Sequence, residues 1–105
     1  LDHRRGAPPV INDAAITDIA ARAGGAVLAA GAVIEAEPSL GGEDFSFYLE
    51  HVPGTYVRLG VTSPDATEPP APLHTSLFDI DERCIEVGIR VLVEAVLRAQ
   101  RELAR

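Results

Sequence analysis

The chain has 105 residues, 47% of them hydrophobic and 24% charged, with a net charge of −7. The acidic balance gives phosphate-backbone binding no electrostatic support, so no nucleic acid partner is expected, and the apolar content excludes a disordered chain. No leader-like segment and no apolar run of about 18 residues stand out, and the single Cys84 gives no reason to invoke secretion, so a cytoplasmic protein with no membrane partner is the expectation.

In chain order, Leu1 to Arg5 reads as the tail of a strand, and Gly6-Ala7-Pro8-Pro9 as a stiff connection. Asn12 is expected to cap a first helix, with Asp13 against its positive end and Ile11 and Ile16 at the spacing of a hydrophobic staple. Ile16, Ile19, Ala20, Ala23 and Val27 then share one face, and Gly24-Gly25 weakens the helix before an end near Ala29. Residues 33–36 read as a short strand ended by Pro38. Gly41-Gly42 opens a turn into a short helix from about Asp44 to Glu50, with Phe45, Tyr48 and Leu49 on one face. Residues 56–61 read as a second strand. The proline-rich loop from Pro64 to Pro72 then delivers Leu73-His74, and such a loop is stiff enough to hold the next residue in place.

The last helix is expected from a cap near Asp81 to about Leu103. Glu86, Arg90, Glu94 and Arg98 stand four apart on it, and almost everything else from Cys84 to Ala99 is apolar. One polar stripe with apolar flanks predicts a helix covered over most of its circumference. Two short strands cannot cover it, nor do two strands make a stable sheet alone. Both strands are therefore expected to belong to a larger sheet supplied by other residues. The first residue is Leu1 and methionine is absent, which fits a processed or excised chain.

A catalytic zinc takes about three protein ligands and a two-metal site takes more. His3, His51, His74 and Cys84 are the nitrogen and sulfur donors, and none stands in a paired metal-binding spacing. Gly41-Gly42-Glu43-Asp44 has two readings. The acidic residues suit a helix start, or the paired glycines let backbone approach a ligand. His51 suits the end of the short helix, Cys84 suits a core, and Asp79, Asp81 and Glu82 suit the start of the last helix.

Pro-Ser-Leu-Gly-Gly-Glu-Asp-Phe-Ser-Phe-Tyr-Leu at 38–49, Val-Pro-Gly at 52–54, Arg-Leu-Gly at 58–60 and Leu-His-Thr-Ser-Leu-Phe-Asp-Ile-Asp-Glu at 73–82 occur in that order. Together with Pro8-Pro9-Val10-Ile11-Asn12-Asp13 they resemble the family of aminoacylases, hippurate hydrolases, auxin-conjugate hydrolases and related carboxypeptidases, which are di-metal amidohydrolases. The resemblance implies an α/β fold, namely the C-terminal portion of a zinc-peptidase-like catalytic domain over 8–105. Residues 1–7 would be the end of a ferredoxin-like lid domain, the part that mediates dimerisation, so a homodimer is implied.

The resemblance makes His74 a metal ligand and Gly41, Gly42 and Glu43 candidates for substrate binding. Ser76 stands where the pattern often has proline, which softens the loop without removing the ligand. The implied cofactor is a divalent metal, two per site, zinc first and manganese, cobalt or nickel as alternatives. The implied substrate is an N-acyl amino acid. The remaining ligands and the glutamate base belong to a histidine-rich segment that these residues lack, so no catalytic residue is assigned and the chain alone is expected to be inactive. The rival reading is a stand-alone, non-catalytic α/β module that keeps the same framework.

Overall fold

The computed structural model describes residues 6–104. The strand tail expected over 1–5, with His3, lies outside them, as does most of the lid remnant. Among the described residues there are three helices: α1 (Ala14–Val27), α2 (Ser46–Leu49) and α3 (Arg83–Leu103).

Helix α1 is rich in alanine, the residue of highest helix propensity. Its cap is Asp13, not Asn12: the Asp13 carboxylate accepts from the Ala15 and Ile16 N–H groups, both at 3.0 Å. Asn12 is diverted because its side-chain amide pairs with the backbone of Tyr56, accepting from its N–H at 2.8 Å and donating to its carbonyl at 3.2 Å. That shift dissolves the expected staple and leaves Ile11 exposed. Ile19 and Ala23 are buried and Ile16, Ala20 and Val27 half-buried, so the expected inner face is the one that packs. The helix stops at Val27, two residues before the expected end, and Gly31 turns the chain with a φ of +80°.

The expected helix over 44–50 is one turn of α-helix at Ser46–Leu49. It is flanked by shorter-range bonds such as Phe47 N–H to Asp44 C=O at 3.1 Å. The last helix starts at Arg83, and Asp81 still serves its first turn by accepting from the Arg83 N–H at 3.0 Å.

Residues 33–36 and 56–61 form no strand among the described residues. The physical reason is the absence of ladder partners: no strand pairing joins either segment to another among the described residues, and each approaches a different helix. An added Cβ at Gly24 of α1 would stand 2.8 Å from Val33, and one at Gly88 of α3 would stand 2.9 Å from Leu59. Each segment thus has one residue close against a helix, and no ladder completes a sheet among the described residues.

Helices α1 and α3 pack together, braced by Arg22, which grips Glu102 with two bonds of 2.8 and 2.7 Å. Around α3, Cys84, Val87, Gly88, Val91 and Ala95 form the half-buried contact face. The polar stripe holds its expected pairs, Arg98 to Glu94 at 2.7 Å and Arg90 to Glu86 at 3.7 Å. Between these two faces runs a third: Ile85, Ile89, Leu92, Val96 and Leu103 are 48% to 66% exposed.

The molecule is a slab of 50 × 47 × 19 Å with a radius of gyration of 16.1 Å, against about 13 Å for a compact chain of this length. It exposes 8877 Å², where a folded monomer of this mass exposes about 5,700 Å².

Candidate metal and substrate site

His74 follows the proline-rich loop and is exposed. Its φ is 65°, and it is the one non-glycine residue with positive φ among those described. Left-handed backbone costs an L-residue roughly 1–2 kcal/mol, although histidine visits it more often than most. The turn is fixed just behind it: the Thr75 hydroxyl donates to Pro72 C=O at 2.9 Å and the Phe78 N–H to Thr75 C=O at 3.2 Å. Non-glycine residues held in left-handed backbone cluster at active sites and ligand clamps.

The Gly41–Glu43 turn is built differently. Gly41 and Gly42 are exposed, with open space where a Cβ at Gly42 would sit. The Gly41 N–H donates to the Ser39 hydroxyl at 3.2 Å. Glu43 folds back on its own helix start, its carboxylate accepting from the Phe45 N–H at 3.0 Å. Its carbonyl accepts from the hydroxyl of Ser46 at 2.7 Å, which accounts for that fully buried side chain.

The Phe45 N–H, and after it the Tyr56 hydroxyl, hold the Glu43 carboxyl below the usual carboxylate range. The neighbouring Glu43 carboxylate in turn pushes the Tyr56 phenol up. The rings of Phe45 and Tyr56 pack at 5.7 Å. The Asn12–Tyr56 pairing was not anticipated from sequence. The only signal was that Asn12 and Asp13 both suit a cap, so one of them had to be free for other work.

No hydrogen bond joins His74 to the Gly41–Glu43 turn among the described residues. A groove of about 520 Å³ lies between the start of α1 and residues 49–54, with His51 on its wall, and includes neither His74 nor the glycine turn. A smaller one of about 270 Å³ runs beside Cys84, Asp81 and Gly60. Among the described residues no three of His, Cys, Asp and Glu gather closely enough to hold a metal. The donors of the described residues therefore do not make up a whole metal centre. No helix among the described residues is long and apolar enough to cross a membrane.

The chain belongs to the peptidase family M20/M25/M40, whose model matches residues 1–98, and its domain is accordingly of the zinc-peptidase-like kind. It is similar to a protein named as a glutamate–cysteine ligase in Rhodococcus jostii, at 44% identity over 89% of this chain and 12% of that protein. It is 38% identical to a protein named as a hydrolase in Synechocystis, over 99% of this chain and 26% of that one. It is also 39% identical to the N-acetyl-L-cysteine deacetylase of Bacillus subtilis, over 89% of this chain and 20% of that enzyme. The chain thus spans between about an eighth and about a quarter of these relatives. No solved structure matches it. The resemblance to the aminoacylase and auxin-conjugate hydrolase family holds.

Proposed function

We propose that this chain is the C-terminal part of the catalytic domain of a metal-dependent amidohydrolase that cleaves the amide bond of N-acyl amino acids or similar conjugates. The observation that carries the reading is His74, an exposed imidazole in left-handed backbone at the end of a proline-rich loop, inside the family match. Relatives named as an N-acetyl-L-cysteine deacetylase and an IAA-amino acid hydrolase support the substrate class.

In this reading His74 holds one metal through an imidazole nitrogen, and the Gly41–Glu43 turn lies beside the substrate. When bound, a pair of divalent metals, zinc first among the candidates and manganese, cobalt or nickel after it, supplies an activated water and a polarised carbonyl. The exposed flank of α3 and the unpaired segments 33–36 and 56–61 support an α/β domain completed by further residues. A homodimeric enzyme formed through a lid domain, working in the cytoplasm on a small N-acyl amino acid, completes the proposal. The lone half-buried Cys84 suits a reducing compartment.

The test is turnover by the intact protein of a panel of N-acyl amino acids that includes N-acetyl-L-cysteine. Release of free amino acid that a chelator abolishes and divalent metal restores is expected. Failure across the panel after metal reconstitution would contradict the proposal. The 105-residue chain by itself is expected to show none of this activity, since it brings one candidate ligand.

A further inference from the structure

His74 stands within residues 62–80, a long stretch without helix or strand, so its position depends on how that stretch is closed at its ends. The neck is closed twice. The Asp81 N–H donates to Val61 C=O at 2.8 Å, which joins the backbone across the two ends. Beside it, the Arg83 guanidinium reaches both ends at once. On the α3 side its Nε donates to both Asp81 carboxylate oxygens at 2.9 Å, and its Nη2 donates to the same carboxylate. On the loop side Nη2 donates to the Ser63 hydroxyl at 3.1 Å and to the Asp65 carboxylate at 3.5 Å. The Asp81 side chain is 14% exposed, and its carboxylate also takes the Arg83 N–H at 3.0 Å, which ties the clamp to the first turn of α3. A planar guanidinium with five N–H donors can serve several partners in this way, and no other side chain presents that fork.

Between the neck and His74 the chain has little freedom of its own. On the α3 side the Thr75 hydroxyl donates to Pro72 C=O at 2.9 Å, the Phe78 N–H to Thr75 C=O at 3.2 Å and the Ile80 N–H to the Asp79 carboxylate at 2.9 Å. On the other side Pro64, Pro69, Pro70 and Pro72 each fix a φ. A loop stiffened on both sides moves chiefly as a body about its neck. We propose that Arg83 is a positioning residue: by clamping Ser63, Asp65 and Asp81 together it closes the neck of the 62–80 loop and fixes where His74 stands. This rests on the reading of His74 as a metal ligand. Without the clamp the neck opens more often, and a ligand that is in place only part of the time holds its metal correspondingly less tightly.

The experiment compares Arg83→Gln, Ser63→Ala, Arg90→Gln and His74→Ala in the intact protein, with circular dichroism to check that each is folded. Two quantities are read: hydrogen exchange at the Asp81 amide in the metal-free protein, and zinc affinity by competition with a chromophoric chelator. In Arg83→Gln the Asp81 amide should exchange at least about fivefold faster and zinc should be held about fivefold more weakly, the size set by a partly exposed ion-pair cluster. Ser63→Ala removes the loop side of the clamp without touching α3, and should weaken zinc binding in the same direction. Arg90→Gln breaks the Arg90–Glu86 pair elsewhere on the same helix and should keep both parental values. Parental zinc affinity in Arg83→Gln, whether or not the amide exchanges faster, overturns the positioning role, while loss of zinc in His74→Ala leaves the ligand assignment standing. Parental zinc affinity in His74→Ala overturns the assignment and the positioning role with it.

Discussion

At His74 the backbone is held in a conformation that glycine would adopt without strain, yet the residue is a histidine. Replacing it with glycine relieves that strain, so His74→Gly should keep or slightly raise thermal stability while removing the imidazole; a clear drop in Tm would show that the side chain supports the fold. Asp81 carries a separate expectation. The Arg83 side chain, and then the Arg83 N–H, pull its carboxyl down to about 2. A folded value below the ordinary one stabilises the fold above the unfolded value of 3.8 and loses that contribution as pH falls toward about 2. Urea midpoints measured through that window should fall less steeply for Asp81→Asn than for the parent. An identical slope would remove Asp81 from the acid limb. His74 was legible as a ligand candidate only through its neighbours in sequence, whereas its left-handed backbone was not, because that depends on how the loop closes. Asn12 was misplaced by one residue for a plain reason. A local rule for caps cannot see Tyr56, which lies 44 residues away.

Among the elements, the helices were legible because each carries its own signal: the Asn12-Asp13 start and one apolar face for α1, and the i,i+4 pairs for α3. The strands expected at 33–36 and 56–61 depend on partners, and no periodicity within a segment can supply one. What the sequence did not show is that Val33 and Leu59 would each rest on a helical glycine. This leads to a paired prediction within α1. Gly25 has nothing within 4 Å of an added Cβ, whereas one at Gly24 would stand 2.8 Å from the branched Val33 side chain. Gly25→Ala should therefore stabilise the chain by about 0.8–1 kcal/mol from helix propensity. The same change at Gly24 should gain nothing or lose, because Val33 has to be displaced. Chemical denaturation of the two variants separates these outcomes, and equal gains would mean that the Val33 contact does not hold in solution.

For the whole molecule, excess surface is the dominant physical fact. Ile19 and Ala23 are the buried apolar residues among those described, while Ile85, Ile89, Leu92 and Val96 line an uncovered flank of α3. A flank of that kind is adhesive in water. The 105-residue chain should bind an apolar dye and associate, and Ile89→Lys with Leu92→Glu should reduce both. A parental chain that stays monomeric and dye-free at high concentration would count against a covered α3.

The most direct measurement pairs metal analysis with turnover for His74→Ala and His51→Ala in the intact enzyme. With His74 as a ligand, its variant should lose at least one tightly held metal and more than about 100-fold in kcat, since even groups that only support a ligand cost 10–100-fold. Helical content should change little, and His51→Ala, on the wall of a groove apart from His74, should keep its metal. Full metal occupancy and a near-normal rate in the His74→Ala enzyme would contradict the assignment of His74 as a metal ligand.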